Sequence, residues 1–380
     1  MSTLAVDAIV DSSNGNTTTI NGTTPTAYNT MGKNRIINGA MEIDQRNAGA
    51  VVSTASVNPY TVDRWQVVSN PASKFTAQQN AGSVTPPEGF TNYLGITSSS
   101  AYSSASGDQM YILHNFEGHS VADLGFGTAN AKTVTISFKV YSSLTGTFGA
   151  CLRNYGSTRS YPFTYTISSA NTWTSISVTI PGDTSGTWVG ASNAGSMILF
   201  FNLGSGSTYE GTPGAWASAD YRSATGATSV VGTNGATFYI TGVQLEVGST
   251  ATEFERRPYG TELALCQRYY QHSYATGTAV GTATSVGAAH FGGGQNGSTT
   301  GYLAGPWILF PVQLRTFPTI TVWDIGGNSG VCHRFTYAVG GANSQSYSIA
   351  ATSDKSIYGY SSGSTNYAGV SIHWRAEAEL

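Results

Sequence analysis

Three pairs of carboxylates lie two residues apart along the chain, and they are the groups best suited to acid–base chemistry. The pairs are Glu42/Asp44, Glu253/Glu255 and Glu377/Glu379. A glycosidase needs two carboxyl groups facing each other across a cleft, about 5 Å or about 6.5–9.5 Å apart. Members of these pairs share one face of an extended chain instead, and Arg256 and Arg257 directly follow the second pair, which predicts ion pairing. We therefore expect no enzyme, with cleavage of a capsular polysaccharide as the less favoured alternative.

Two glycine-rich patterns match known motifs but lack the context that those motifs need. Gly292, Gly294 and Gly297 fit GxGxxG, which cradles a pyrophosphate only between a strand and a helix. Polar sequence follows here, so we predict a flexible loop. Residues 359–363, GYSSG, fit the GxSxG elbow, which needs a strand-to-helix turn followed by an acid and then a histidine. A further strand pattern follows and the last acids come after His373, so we predict a hairpin turn.

The potential metal ligands show no metal-binding pattern. Cys151, Cys266 and Cys332 are odd in number and have no CxxC spacing, so buried free thiols are favoured over a metal site or disulfides. The six histidines form no HxH or HExxH motif. Asp44 and Glu246 are weak candidates for a structural Ca²⁺ site if the first and last strands of a sandwich adjoin; plain hydrogen-bonded acids are favoured. We expect no cofactor.

A sugar-binding surface is the most plausible site chemistry in the last quarter of the chain. A pyranose has apolar C–H faces and polar edges, so it needs exposed aromatic rings flanked by amide and hydroxyl groups. Ordinary sandwich packing of the rings and solvated loops are the alternative. The candidate receptor-binding residues are His290, Phe291, Asn296, Tyr302, His333, Arg334, Tyr358 and Tyr360.

Composition limits the class of protein. Of the 380 residues only 10% are charged, 12% are aromatic, and the net charge is −3. Such an aromatic content excludes a disordered polar chain, and the charge provides no basic field for nucleic acid or an anionic membrane. No apolar run approaches about 18 residues. The start, MSTLAVDAIVD, has an acid where a signal peptide needs a basic region, so we expect neither membrane insertion nor a cleavable signal.

Short β-branched and aromatic runs separated by Gly, Asn and Ser turns predict an all-β fold. Residues 133–142, TVTISFKVYS, alternate apolar and polar along one strand, whereas MILFF at 197–201 is apolar on both faces and predicts a central strand. About ten such segments predict a central jelly-roll-like β-sandwich over residues 33–257. Asp63 and Arg64 form a candidate local ion pair there.

The rest of the chain divides around one short helix. Residues 1–32 are polar and predict an extended arm, or else a disordered terminus. Residues 258–275 predict a linking helix with Thr261 as its N-cap and with an amphipathic pattern, acting as a hinge. About seven strand segments over 276–380 predict a smaller C-terminal β-sandwich.

Several segments resemble those of tail-fibre and related virion proteins of tailed bacteriophages. They are NRIINGAMEIDQRNAGA, YTVDRW, TGVQLEVGSTATEFERRPYGTELALCQRYYQ, FPVQLRTFPTITVWD and the opening TLAVDAIVDSSNG. The central region, with its FYITGVQLE strand, also resembles carbohydrate-binding jelly-rolls. The resemblance implies a virion fibre, assembled as a homotrimer in the host bacterium, with its N-terminal arm on tail or capsid proteins and its C-terminal domain directed outward.

The sequence therefore predicts a non-enzymatic phage tail fibre that contacts host surface glycans through the loops of the C-terminal domain. Three copies acting together can raise avidity about 10²–10⁴-fold over a single site, and assembly would cover open strand edges. A capsid-mounted decoration fibre is the main alternative, and a polysaccharide depolymerase is the less favoured one.

Overall fold

The computed structural model describes residues 32–54, 59–292, 302–335, 343–362 and 368–380. The predicted arm at residues 1–32 lies outside this part of the chain, apart from Gly32. Within the described part, none of the helices combines the length and the apolar character that crossing a membrane requires.

Strands dominate the described residues before position 250. They are β1 (Val52–Ser53), β2 (Trp65–Ser69), β3 (Phe75–Gln79), β4 (Leu94–Ser98), β5 (Met110–Glu117), β6 (Val134–Ser142), β7 (Gly146–Asn154), β8 (Ser160–Ile167), β9 (Thr174–Ile180), β10 (Gly195–Asn202), β11 (Glu210–Gly211), β12 (Ser223–Ala224) and β13 (Thr237–Val247). One short helix, α1 (Gly118–Val121), and three 3₁₀ turns (Ala81–Ser83, Ala122–Leu124 and Ser207–Tyr209) interrupt them.

Two antiparallel sheets pack face to face and form the first sandwich. One has six strands in the order β1-β3-β4-β13-β6-β9, and the other has five in the order β2-β5-β10-β7-β8. Side chains alternate in direction along β6, so Val134, Ile136, Phe138 and Val140 point into the core between the sheets. The prediction of an all-β chain with sandwich architecture is confirmed.

The central strand β10 is covered on both faces, as its sequence predicts. Every residue of β10 is buried. Leu199 and Phe201 lie in the core between the sheets, whereas Ile198 and Phe200 join Cys151 in a second cluster on the outer face. The segment around β11 and β12 contributes to the cover, because the Arg222 guanidinium donates to the Tyr111 hydroxyl at 2.7 Å on that face.

The linking helix α2 spans Tyr259–Gln267, and Thr261 does not cap it. Pro258 occupies the N-cap position, and its carbonyl accepts the backbone N–H groups of Thr261 and Glu262. The fixed backbone angle of proline starts the helix earlier than Thr261. The amphipathic pattern is also weaker than predicted, because Leu263 and Leu265 are only half-buried whereas Glu262 is buried.

In the described part of the chain after the helix there are nine strands. They are β14 (Tyr270–His272), β15 (Ala289–Gly292), β16 (Tyr302–Ala304), β17 (Ile308–Leu309), β18 (Thr319–Trp323), β19 (Val331–Phe335), β20 (Asn343–Thr352), β21 (Ser356–Ser362) and β22 (Gly369–Glu377). Their pairing runs β14-β22-β19-β20-β21-β16, with β15 and β18 also on β22 and β17 on β21.

This second sheet folds over on itself around its own core. Phe310, which follows β17, lies with its ring centroid 5.4 Å from that of Trp374 in β22. A flat sheet would separate these strands by roughly 19 Å, at about 4.8 Å per strand. The shared core includes Val322, Cys332 and Ile357 from three different strands.

The two β parts are joined by a packed, charged junction rather than by a free hinge. Cys266 and Tyr269 of the helical segment pack with Ile37 and Ile43 of the first sandwich. Beside this cluster, the carboxylate of Glu117, on β5, accepts hydrogen bonds from Arg268 at 2.9 Å and from the Tyr269 hydroxyl at 2.7 Å. Burial alone would raise the pKa of Glu117, but these hydrogen bonds outweigh it and lower the pKa.

The last residues of the chain also insert into this junction. Glu379 pairs with Arg46 at 2.8 Å and with Arg64, which is 1% exposed. The predicted Asp63–Arg64 pair is therefore wrong. Asp63 and Arg64 lie in the turn before β2, where the Arg64 backbone has a φ of +70°, and Asp63 instead accepts hydrogen bonds from Gln45.

Candidate functional site

Several of the predicted receptor-binding residues meet on one face of the C-terminal sheet. Ser371 of β22 lies in register between His290 of β15 and His333 of β19. The His290 ring nitrogen Nδ1 lies 2.6 Å from the Ser371 hydroxyl oxygen. In-register residues of neighbouring strands point the same way, so the two imidazoles flank one serine.

The aromatic candidates extend this same face. Tyr360 pairs in register with Ser348 of β20, and Ser348 lies an even number of residues from Ser344, the partner of His333. Tyr358, two residues before Tyr360, therefore shares the face as well. Its ring lies 5.8 Å from that of Trp307, which is 64% exposed. We call His290, His333, Tyr358, Tyr360 and Trp307 the C-terminal face.

Of the other candidates, Arg334 and Phe291 do not join this face. Arg334 is buried and donates hydrogen bonds to the Ser361 hydroxyl, so it supports the interior of the domain. Phe291 pairs with Val370 at a neighbouring, oppositely directed position and is 37% exposed. Tyr302 pairs through its backbone with Ser362. Asn296 lies outside the described residues.

Several of the paired acids and the motif serine Ser361 have structural partners. Glu377 and Glu379 each bind Arg46 at 2.8 Å, and Glu255 accepts the backbone N–H of Asn34 at 2.8 Å. Ser361, within GYSSG, is buried inside β21 and donates to the Ser346 carbonyl at 2.9 Å. A serine held in this way is not displayed on a nucleophile elbow.

Each calcium candidate accepts hydrogen bonds from donors of its own neighbourhood. Asp44 accepts backbone N–H groups from Asn47 at 2.9 Å and Gly49 at 2.7 Å. Glu246 accepts the backbone N–H and the hydroxyl of Thr252 at 2.9 and 2.6 Å. Both therefore behave as hydrogen-bonded acids. The three cysteines are free and buried, as predicted.

A groove on the outer face of the six-stranded sheet combines aromatic and polar side chains. It encloses about 510 Å³, within the range of small-molecule and sugar sites. Its floor is made by β6 and β9, where Ser137 pairs in register with Ser177 and Lys139 with Ser175. The Lys139 ammonium donates to the Ser175 hydroxyl at 2.5 Å. We call this cavity the sheet groove.

The wall of the sheet groove is aromatic. Phe90 and Phe254 meet edge to face with their centroids 5.2 Å apart, and the Arg256 guanidinium lies 4.6 Å from the Phe90 centroid. Gly242 of β13 permits this approach, because a Cβ there would lie 2.6 Å from the Phe90 ring and the backbone has a φ of +62°. Loops before β4 and after β13 thus meet over the sheet.

A cluster of rings continues the groove along the strands. Tyr141 lies on β6, two residues after Lys139 and on the same side of the strand. Trp173 stands just before β9, two residues ahead of Ser175. The centroids of the two rings are 5.5 Å apart. Tyr141 stacks on the buried Tyr239 at 5.3 Å and an interplanar angle of 7°. The half-buried pair of rings therefore packs against a buried ring of the neighbouring strand, β13.

This arrangement can bind a ligand that has both apolar faces and hydroxyl groups. The rings of Phe254 and Tyr141 supply apolar contact, while the serine hydroxyls and Lys139 supply hydrogen bonds along the floor. Glu88 and Glu253 also line the groove, and both are exposed to solvent.

Sequence reasoning missed the sheet groove because its residues come from distant segments. Phe90, Lys139 and Phe254 meet only because β13 lies between β4 and β6. One signal was present in the sequence. Tyr141 and Trp173 occupy outward positions next to outward residues that are polar, and aromatic rings grouped on a solvent-facing surface often indicate a binding site.

Comparison with known proteins gives weak likenesses. No family model and no curated protein matches the sequence. Among solved structures, a candidate sugar-binding protein from Bacteroides thetaiotaomicron aligns at 11% identity and a TM-score of 0.34, covering 57% of this chain and 100% of that one. The enzymatically active domain of tailspike protein 4 from bacteriophage CBA120 aligns at 9% and 0.29, covering 57% and 21%.

A family 11 carbohydrate-binding module from Clostridium thermocellum aligns at 14% identity and a TM-score of 0.26, covering 54% of this chain and 99% of that one. The aligned region thus spans about a fifth of the tailspike chain and the full length, or nearly so, of the other two. All of these identities are below 25% and all of the TM-scores below 0.5, so the likenesses assign neither a family nor a ligand to this chain.

Proposed function

We propose that this protein is a non-enzymatic glycan-binding component of a bacteriophage virion fibre. The observation that supports glycan binding is the sheet groove, in which the Phe90–Phe254–Arg256 wall stands beside a floor of hydroxyl groups. A pyranose lays its C–H face on such a wall and directs its hydroxyls to the serines and Lys139.

The fibre assignment rests on the resemblance of segments such as QLEVGSTATEFERRPYGTELALCQRYYQ to phage virion proteins. In this proposal residues 1–32 attach the chain to tail or capsid proteins, and three chains assemble together. The C-terminal face contacts the host surface, where its exposed Trp307 beside Tyr358 offers a second stacking position for a sugar.

Glycan binding is tested with a matched pair of variants. The full chain and its Phe254→Ala and Phe317→Ala variants are titrated with oligosaccharides released from the host surface. Phe317 is 73% exposed and lies outside the groove lining, so it controls for loss of an exposed ring. We expect Phe254→Ala to weaken binding at least ~10-fold and Phe317→Ala to leave it unchanged; equal effects would refute the groove as the site.

The non-enzymatic claim is tested on the same material. Host polysaccharide incubated with the protein should keep its viscosity and release no new reducing ends. If depolymerisation occurs and is abolished in Glu88→Gln or Glu253→Gln, the groove is catalytic and the proposal is wrong. The two acids line the groove without contributing to its aromatic wall, so glycan binding should survive either change.

Assembly and position are tested on particles. Sedimentation of the full chain should give three times the mass of one chain, 39.7 kDa. Antibody labelling of the virion should mark the tail, whereas labelling of heads would favour the decoration fibre. Trp307→Ala should reduce attachment of the purified protein to host cells without changing glycan affinity at the groove.

A further inference from the structure

A second cavity lies at the junction between the two β parts. It encloses about 330 Å³, and interfaces between domains are common places for small-molecule sites. Four elements form it: the loop after Met41, the end of β3, helix α2, and β14 with the segment that follows it. The lining includes Glu42, Asp44, Gln45, Gln79, Tyr259 and Gln267, together with His272, Tyr274 and Thr276.

Most of the polar groups that line this cavity are hydrogen-bond acceptors. Two carboxylates line it, and none of the described lysines or arginines does. The nearby Arg46 guanidinium is held elsewhere, over the Tyr270 ring at 3.7 Å and against Glu377. Gln45 and Gln79 commit their amide N–H groups to Asp63 and to the Met41 carbonyl, so each offers a ligand its amide oxygen. An anionic ligand would find no counter-charge here.

Two buried polar atoms beside the cavity have no hydrogen-bond partner of normal geometry among the described residues. They are His272 Nδ1 and the Tyr274 hydroxyl, although the Gln45 and Tyr274 backbones approach the His272 ring and the Gly281 backbone approaches the Tyr274 hydroxyl. Tyr274 is 5% exposed and stacks on His373 at 3.9 Å. Leaving such groups unpaired costs about 1–3 kcal/mol each, and a bound polar molecule would satisfy them.

We propose that the junction cavity binds a neutral, polyhydroxylated molecule of monosaccharide size. Hydroxyl groups of the ligand donate to Asp44 and to the glutamine oxygens, and they pair with His272 and Tyr274. The half-exposed Tyr259 ring covers an apolar face at the mouth. Asp44 already accepts hydrogen bonds from two backbone N–H groups. These bonds partly neutralise its negative charge, which favours a neutral ligand over a cation.

This site is independent of the sheet groove, and the test separates the two. The full chain is titrated calorimetrically with glucose, galactose, mannose and N-acetylglucosamine, with glucuronate and CaCl₂ as charged comparators. We expect saturable binding of at least one neutral sugar, weakened at least ~10-fold by Thr276→Trp, which fills the cavity mouth, and unchanged by Phe254→Ala. Binding of only the charged comparators, or no binding, would overturn the proposal.

Hydrogen exchange on the unaltered protein provides a measurement that does not depend on the folding of a variant. The bound sugar should slow exchange of backbone amides in 42–49 and 259–277 together, because it contacts both parts of the junction. Slowing confined to the groove residues Lys139 and Phe254 would mean that the sugar occupies the groove alone, and the junction site would be wrong.

Discussion

Replacing Glu379 with glutamine should destabilise the protein far more than its place next to the C-terminus suggests. The Glu379 carboxylate is 6% exposed and bridges Arg46 and Arg64, whose side chains are 9% and 1% exposed. Arg64 also donates to the Asn115 carbonyl at 2.7 Å and lies over the Tyr269 ring at 3.5 Å. Neither guanidinium can turn to water when its carboxylate is removed.

The magnitude follows from this burial. Removing one partner of a buried ion pair costs about 3–5 kcal/mol, because the remaining charge stays desolvated. Glutamine keeps one oxygen that can accept a hydrogen bond, and Arg46 keeps its contact with Glu377. We therefore expect a loss of about 3 kcal/mol in the free energy of unfolding.

The matched control is Asp123→Asn. Asp123 pairs with Arg35 at the same distance of 2.8 Å, but the two side chains are 40% and 20% exposed. Exposed pairs contribute about 0–1 kcal/mol. The two changes are chemically alike, since each removes one negative charge and leaves an amide, so the difference between the variants isolates burial.

Equilibrium urea denaturation followed by tryptophan fluorescence measures both variants. Trp65 reports on the first sandwich and Trp374 on the second, since both are buried. The deficit of Glu379→Gln should persist between about 0.05 and 0.5 M NaCl, because salt screens buried pairs poorly. If the two variants differ by less than about 1 kcal/mol, the junction is not held by this network and the reasoning fails.

Three further outcomes are expected. Burial raises the pKa of Asp63 to about 6, so the folded state binds this proton more tightly than the unfolded state does. The resulting stabilisation, on the order of 3 kcal/mol, is lost as pH rises from about 4 through 6. Asp63→Asn should flatten that part of the curve of unfolding free energy against pH. Gly39→Ala should lower the free energy of unfolding by about 1–3 kcal/mol, and with it the urea midpoint, because its Cβ would lie 2.2 Å from the Val243 carbonyl oxygen. The three buried cysteines should resist alkylation in native buffer and react in urea, as mass spectrometry would show.

The sheets were predictable where one face of a strand is buried. The alternation at 133–142 predicted β6 within a residue of its bounds, and the apolar run at 197–201 predicted a covered central strand. Burial on one face imposes a period of two on the sequence, and burial on both removes it. The two-residue strands β11 and β12 left no such pattern, because their pairing depends on the surface they cover.

Long-range polar contacts were not predictable from one sequence. Arg64 was assigned to its neighbour Asp63, yet its carboxylate partner is 315 residues away in the chain. Likewise the groove wall joins Phe90 to Phe254, and neither residue stands in a patterned segment. Candidate residues of the C-terminal face were easier to select from the sequence. His290, Tyr358 and Tyr360 are polar or aromatic residues in a serine- and glycine-rich region that has few other large side chains.

The chain carries few charges, and it places many of them in the junction. Only 17 lysines and arginines occur in 380 residues, yet Arg46, Arg64 and Arg268 all pair there with buried acids. Buried ion pairs contribute little net stability compared with apolar packing, but their fixed geometry can specify one orientation over others. A junction of this kind holds the sheet groove and the C-terminal face at a constant separation. Multivalent binding depends on that separation, because effective concentration falls when linked sites move freely. This distribution of charge therefore suits the proposed glycan-binding fibre, in which several weak sites would act together.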